Sequence, residues 1–151
     1  MSNQTSMLNA LSSWWNDMQT FTHEADNEAE KRFPGQARDS SVKNAYRHAL
    51  GSGRLAQLLG ANSGIPLVEG AARGAAKLAG YGWEALGGPE NWRGQDMRHD
   101  LNANAQGIAH TQTAKDFQSL ASALESFARG ARKEAPPEIT DASRPWFTYS
   151  K

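Results

Sequence analysis

The chain has 151 residues, with 16 Lys and Arg balanced by 16 Asp and Glu, and no cysteine. That length suits one domain with a real core and is too short for two comfortable ones. The cancelled charge offers no field of one sign to nucleic acid or an anionic membrane. The missing thiols exclude disulfides, thiolate catalysis and thiolate metal sites.

The opening segment MSNQTSMLNALSSWWNDMQT has neither a basic start nor a continuous apolar run, so no signal peptide is expected. No transmembrane helix is expected either, since no sufficiently long apolar run occurs. The expected location is the cytoplasm or the interior of a viral particle.

Met7, Leu8, Leu11, Trp14, Trp15, Met18, Phe21, Ala25 and Ala29 recur at three- and four-residue steps. This predicts an amphipathic helix from about Ser6 to Arg32, stopped by Pro34-Gly35. A second helix is predicted from Asp39-Ser40-Ser41, residues suited to capping, to Gly60. Its inner stripe is Ala45, Ala49, Ser52, Leu55 and Leu59. Pro66 suits the first turn of a third helix that runs to Gly87-Gly88-Pro89. This helix contains GAARGAAKLAGYG, whose glycines weaken it unless small side chains are needed for close packing against neighbours.

The fourth helix begins near Asp96, with Met97, Leu101, Ala105 and Ile108 as its expected buried stripe. Trp92 and Arg93 lie on the glycine-rich loop before it and would either rim a pocket or pack that loop. Thr113 and Asp116 have the spacing of a capping box ahead of a fifth helix. Its apolar stripe is Phe117, Leu120, Ala121, Leu124, Phe127 and Ala128. No run of alternating β-branched residues predicts a strand. The expected fold is all-α: a single compact bundle of about five helices over residues 1–135, followed by an extended tail at 136–151. Trp146, Phe147 and Tyr149 in that tail would dock on the bundle or on a partner, as would Trp14 and Trp15.

Polar residues intrude on the expected inner faces. Asp100 and Asn104 lie four apart beside the apolar stripe of the fourth helix, and Gly107 continues their row; His99 and Asn102 point outward. His48 sits within the stripe of the second helix, one turn from Ser52. A carboxylate beside a core must find partners or become neutral. His48 and Arg47 are the natural partners of Asp100 if the second and fourth helices pack together, with Glu84 a further candidate. Such a set makes either a polar lock that fixes helix register or an acid–base site. In the latter, His48 would be the base, Asp100 would orient it, Asn104 and Arg47 would stabilise developing negative charge, and Glu84 would assist. His48, Glu84 and Asp100 also offer nitrogen and oxygen ligands of the kind that hold a divalent metal, although no cofactor is required by the sequence.

The segments Asn44-Ala45-Tyr46-Arg47-His48-Ala49, Tyr81 to Glu84, and Asp100-Leu101-x-x-Asn104-x-x-Gly107 resemble a bacterial all-helical domain family of unknown function. That family joins an A-x-R-H-A helix to a His-Glu helix and a D-L-H-N-N-x-x-G helix. The resemblance covers about residues 40–110 and implies a polar centre of Arg47, His48, Glu84, Asp100, Asn104 and Gly107. Trp83 stands where the family has histidine, and Asn102 and Ala103 replace a histidine and an asparagine, which removes two proton carriers or ligands. The order His48, then His99-Asp100, resembles the HD phosphohydrolases, and DMRHDL resembles the catalytic helix of small secreted phospholipases. The first lacks its final aspartate here, and the second lacks its disulfides and calcium loop.

Two functions follow from these residues. The sequence favours a non-enzymatic component of a larger assembly, such as a phage virion or ejection protein. Its contact surfaces would be the aromatic first helix, the small-residue third helix and the tail, with protein partners or self-association expected. The alternative is a small hydrolase-like enzyme built on His48 and Asp100. No nucleic-acid footprint is visible, because Arg and Lys are spread along the chain.

Overall fold

The computed structural model describes residues 16, 19–38, 40–86 and 95–131, without the side chains of 83–86, 95, 96 and 131. Trp14, Trp15, Trp92, Arg93 and the tail with Trp146, Phe147 and Tyr149 lie outside the described residues. Among the described residues the fold is all-α, with five helices and no strand.

Helix α1 (residues 19–32) runs into Pro34 and Gly35, and Gly35 takes a φ of 75° that glycine adopts freely. Helix α2 (Ser41–Ala56) is capped by Ser40, whose hydroxyl accepts from the Lys43 backbone N–H at 3.4 Å. A π-helical turn (Gln57–Ala61) follows and ends the helical run at Gly60, with φ 106°. Helix α3 (Pro66–Leu86) starts on Pro66, as its missing N–H and preset φ favour. Helices α4 (Gln95–His110) and α5 (Phe117–Ala131) complete the order. The cap of α5 differs from the expected box. Asp116 Oδ1 accepts from the Ser119 N–H at 2.8 Å, and Ser119 Oγ accepts from the Asp116 N–H at 3.2 Å, whereas Thr113 donates back to His110 O. Thr113 is still in the turn that closes α4, so the cap falls on the next side chain able to accept.

α2 is the central helix and packs on α3, α4 and α5, most extensively on α4. Its Val42, Tyr46, Ala49 and Leu50 join Ala25, Ala29 and Phe33 from the α1 side and Leu120, Ala121, Leu124 and Ala128 of α5 in the larger core. Fully buried leucines such as Leu50, Leu120 and Leu124 each contribute about 1.5–3 kcal/mol of transfer free energy. Tyr46 is fully buried, donates its hydroxyl to Ala121 O at 3.1 Å and meets the Phe33 ring edge-on. Burial drives its phenol well above the ordinary range. A smaller core joins Leu55, Ala56 and Ala61 to Ala72 and Ala76 of α3 and Ile108 of α4. Charge fastens α1 to the rest: Arg54 pairs with Glu24, Arg47 with Asp26, Arg32 with Glu125, and the buried Lys43 with Glu30.

At Gly107 and Gly53, α4 and α2 meet backbone on backbone. A Cβ built on Gly107 of α4 would stand 1.8 Å from Ala49 O of α2, and one on Gly53 would stand 2.7 Å from Gly107 O. Where the two backbones are this close only small residues fit between them, and this rotates the buried face of α4. Ala103, Asn104, Gly107, Ile108 and Thr111 are buried, whereas the expected Ala105 is exposed and Met97 and Leu101 are half-buried at the edge. Leu59 is likewise 44% exposed, because the π turn swings it off the α2 stripe.

The glycines of α3 do not serve the close packing expected of them. Gly70, Gly74 and Gly82 face open space, and only Gly80 meets a neighbour, Asn104. The outer side of the α2–α3 corner and of α3 exposes Leu58, Leu59, Ile65, Leu67, Val68, Leu78 and Tyr81.

Gly107→Ala is therefore expected to cost at least about 3 kcal/mol or prevent folding, since its methyl meets a carbonyl that only helix separation can move. Gly74→Ala should gain up to about 1 kcal/mol of helix propensity. Urea unfolding of both variants checks the contrast, and equal effects would contradict the packing described.

Candidate functional site

The α2–α4 contact brings two polar rows face to face. On α2, Asn44, His48 and Ser52 are spaced one turn apart; on α4, Asp100 and Asn104 are spaced likewise. Asn44 Nδ2 donates to Asp100 Oδ1 at 2.8 Å, His48 Nε2 stands 3.4 Å from the same oxygen, and Ser52 Oγ donates to Asn104 Oδ1 at 2.8 Å. Asn104, on the same row as Asp100, favours the protonated form of the His48 imidazole. The rows are half-buried apart from Asn104, which is buried.

The expected partnership of Asp100 holds for His48 and not for Arg47. Arg47 points to the α1 side of α2, where its Nε pairs with Asp26 Oδ1 and its Nη1 reaches Asn44 Oδ1 at 3.5 Å. Residues next to each other on a helix diverge by about 100°, so Arg47 and His48 serve different neighbours. Arg38, from the turn after α1, donates Nη2 to the other oxygen of Asp26 at 2.9 Å.

A cleft of about 290 Å³ opens onto this cluster. Phe21, Thr22, Ala25 and Asp26 of α1 form one wall, and Arg47, His48, Gly51, Ser52 and Leu55 of α2 form another. Gly80 of α3, Asn104 of α4 and Arg38 close it. His48 therefore faces the cleft while Asp100 stands behind it, outside the lining. Burial holds the imidazole below its ordinary pKa; Asp100 pulls the value up, Arg47 pushes it down, and Asn104 and Asp26 raise it again. The net shift is downward and favours the neutral imidazole, which shares its cleft with the Ser52 hydroxyl, the Asn104 amide and the guanidiniums of Arg38 and Arg47.

Of the residues singled out from the sequence, His48, Asp100 and Asn104 come together, and Gly107 acts as the spacer that permits it. The side chain of Glu84 lies outside the described residues. Among the described residues no three carboxylates and imidazoles gather in a way that would hold a metal ion. No helix among them is long and apolar enough to cross a membrane. Sequence reasoning missed Asn44, Asp26 and Arg38 as members of the site, and gave Ser52 only a place in the stripe. Asn44 was findable, one turn before His48 on the same row. Asp26, beside the apolar row of α1, carried a weaker signal, and Arg38 in its turn carried none. Comparison with family models, with curated proteins and with solved structures finds no match.

The lowered pKa of His48 makes stability depend on pH with a defined sign. The unfolded chain binds the proton more tightly than the folded one, so the stabilisation is complete above the ordinary value of 6.5 and is lost as pH falls through the lower folded value. Urea midpoints measured down through this window should fall in the parent and fall less in His48→Asn. Parallel profiles would show that His48 is not the group responsible.

Proposed function

We propose that the cleft is an acid–base site and that the domain is a small hydrolase-like enzyme. The observation that carries this reading is the order of groups: cleft, then neutral His48, then Asp100. A base is most effective when it is unprotonated at working pH and held by a group that stabilises its protonated form, which is the part Asp100 takes. In a hydrolytic step, His48 accepts a proton from water as the water oxygen bonds to the electrophilic centre of an ester-like substrate. The imidazolium, stabilised by Asp100, then returns that proton to the departing oxygen. The Asn104 amide and the Ser52 hydroxyl are positioned to orient the substrate. Arg47, sharing Asp26 with Arg38, supplies positive charge near the developing oxyanion.

Hydrolysis of para-nitrophenyl acetate and para-nitrophenyl phosphate tests this reading. The parent should turn over at least one of them with a rate that rises with pH and levels off below neutrality. His48→Asn should lower the rate by about a hundredfold or more, and Asp100→Asn by about tenfold or more. A His48→Asn variant that is folded and as active as the parent would end the proposal.

A second reading has its own support. The exposed leucines and Tyr81 along α3 form an apolar face larger than scattered surface residues require, as a component of a larger assembly would have. The substitutions Leu67→Gln and Leu78→Gln, at 84% and 73% exposure, should then shift an oligomer towards monomer in light scattering. A parent that is monomeric at every concentration and unchanged by them would oppose self-association through α3.

A further inference from the structure

The polar wall of the cleft is unevenly charged. Asp26 is gripped by two guanidiniums, Arg47 on Oδ1 and Arg38 on Oδ2, and among the described residues no other carboxylate lines the cleft. Asp100 lies behind His48 and is engaged by Asn44. Two cations on one carboxylate leave one positive charge in excess at the cleft. Arg47 holds its share at only 17% side-chain exposure, where water compensates charge poorly. Arg38, at 68% exposure, gives Asp26 one Nη2 donor and has further N–H groups to offer a ligand. The apolar part of the lining is formed by Phe21 and Ala25 of α1 and Leu55 of α2. The volume sits at the lower end of the range for small-molecule sites, roughly 300–1,000 Å³.

We infer that the cleft binds a small organic anion, a carboxylate or phosphate ester with a compact apolar body. The anionic group docks on Arg38 and Arg47, and the body lies against Phe21, Ala25 and Leu55. Guanidinium suits this task because its planar fork offers paired donors to a carboxylate or phosphate. Gly51 leaves the middle of the cleft open: a Cβ there would meet only Ala25 Cβ, at 4.0 Å. The body of the ligand would pass across this gap and bring its ester bond towards His48. This inference rests on the acid–base reading only in taking the same cleft as the working site, and it names the class of substrate that reading leaves open.

Titration calorimetry with benzoate, phenyl phosphate, benzyl alcohol and benzylamine tests it, since these share a ring and differ in charge. At least one of the two anions should bind about tenfold more tightly than benzyl alcohol, and benzylamine should bind least. Arg38→Gln, at an exposed position, should remove about that tenfold advantage and leave benzyl alcohol unchanged. Gly51→Leu improves helix propensity while filling the cleft, and should abolish binding of all the probes. The inference is overturned if neither anion outbinds benzyl alcohol, or if Arg38→Gln and Gly51→Leu both bind the anions as the parent does. The same titrations on folded His48→Asn separate the two claims. Anion binding without hydrolysis in the parent sinks only the catalytic reading, whereas hydrolysis without anion preference sinks only this one.

Discussion

Everything at the candidate site depends on how closely α2 and α4 approach. Gly107 brings its helix so near Ala49 that no side chain fits between them, and Gly53 does the same from the other helix. At that separation short polar side chains span the gap directly, as Asn44 does to Asp100 and Ser52 does to Asn104. A wider spacing would leave a half-buried carboxylate and a buried amide to be met by water or not at all, at a cost of about 1–3 kcal/mol for a buried neutral group left unpaired. The glycines and the polar rows are thus one device. Neither is understandable alone.

Because the helices meet through backbone, the bundle core is divided into two parts. Large side chains fill the space between α1, α2 and α5, where Tyr46 and the buried leucines sit. Alanines with Leu55 and Ile108 fill the side towards α3. The cleft lies where small residues meet the α1 wall, and glycines at 51 and 80 keep it open. A cavity in such a place is no packing failure, since charged and hydrogen-bonding groups line one side of it.

Periodicity made the helices legible. Pro34-Gly35, Gly60 and Pro66 mark their boundaries by backbone chemistry that no tertiary contact needs to supply. The pairing of His48 with Asp100 was also readable, because each residue stood on an apolar row and each needed a partner. Helix rotation was less legible. The apolar count placed Ala105 inward, but close approach selects small residues, and Ala103 with Gly107 wins that competition. The same confusion affected α3, where a glycine-rich run reads as a packing surface although most of its glycines face outward. Composition shows that a helix can be approached closely; it does not show that anything approaches. Arg47 illustrates a further limit, since the position of α1 that claims it through Asp26 is a tertiary fact.

The way α1 is held has a consequence for the shape of the cleft. Its inward side offers mainly Phe21 and small alanines, and much of its attachment is a ladder of ion pairs from Glu24 to Glu125. Ion pairs at partly exposed positions weaken as mobile ions screen them, and the screening length falls from about 10 Å to about 3 Å between 0.1 M and 1 M salt. The leucine-filled contact of α2 with α5 feels little of this. The α2 wall of the cleft is therefore held by packing, and the α1 wall by charge together with the packing of Ala25 and Ala29. Added salt weakens only the first of those two holds on α1.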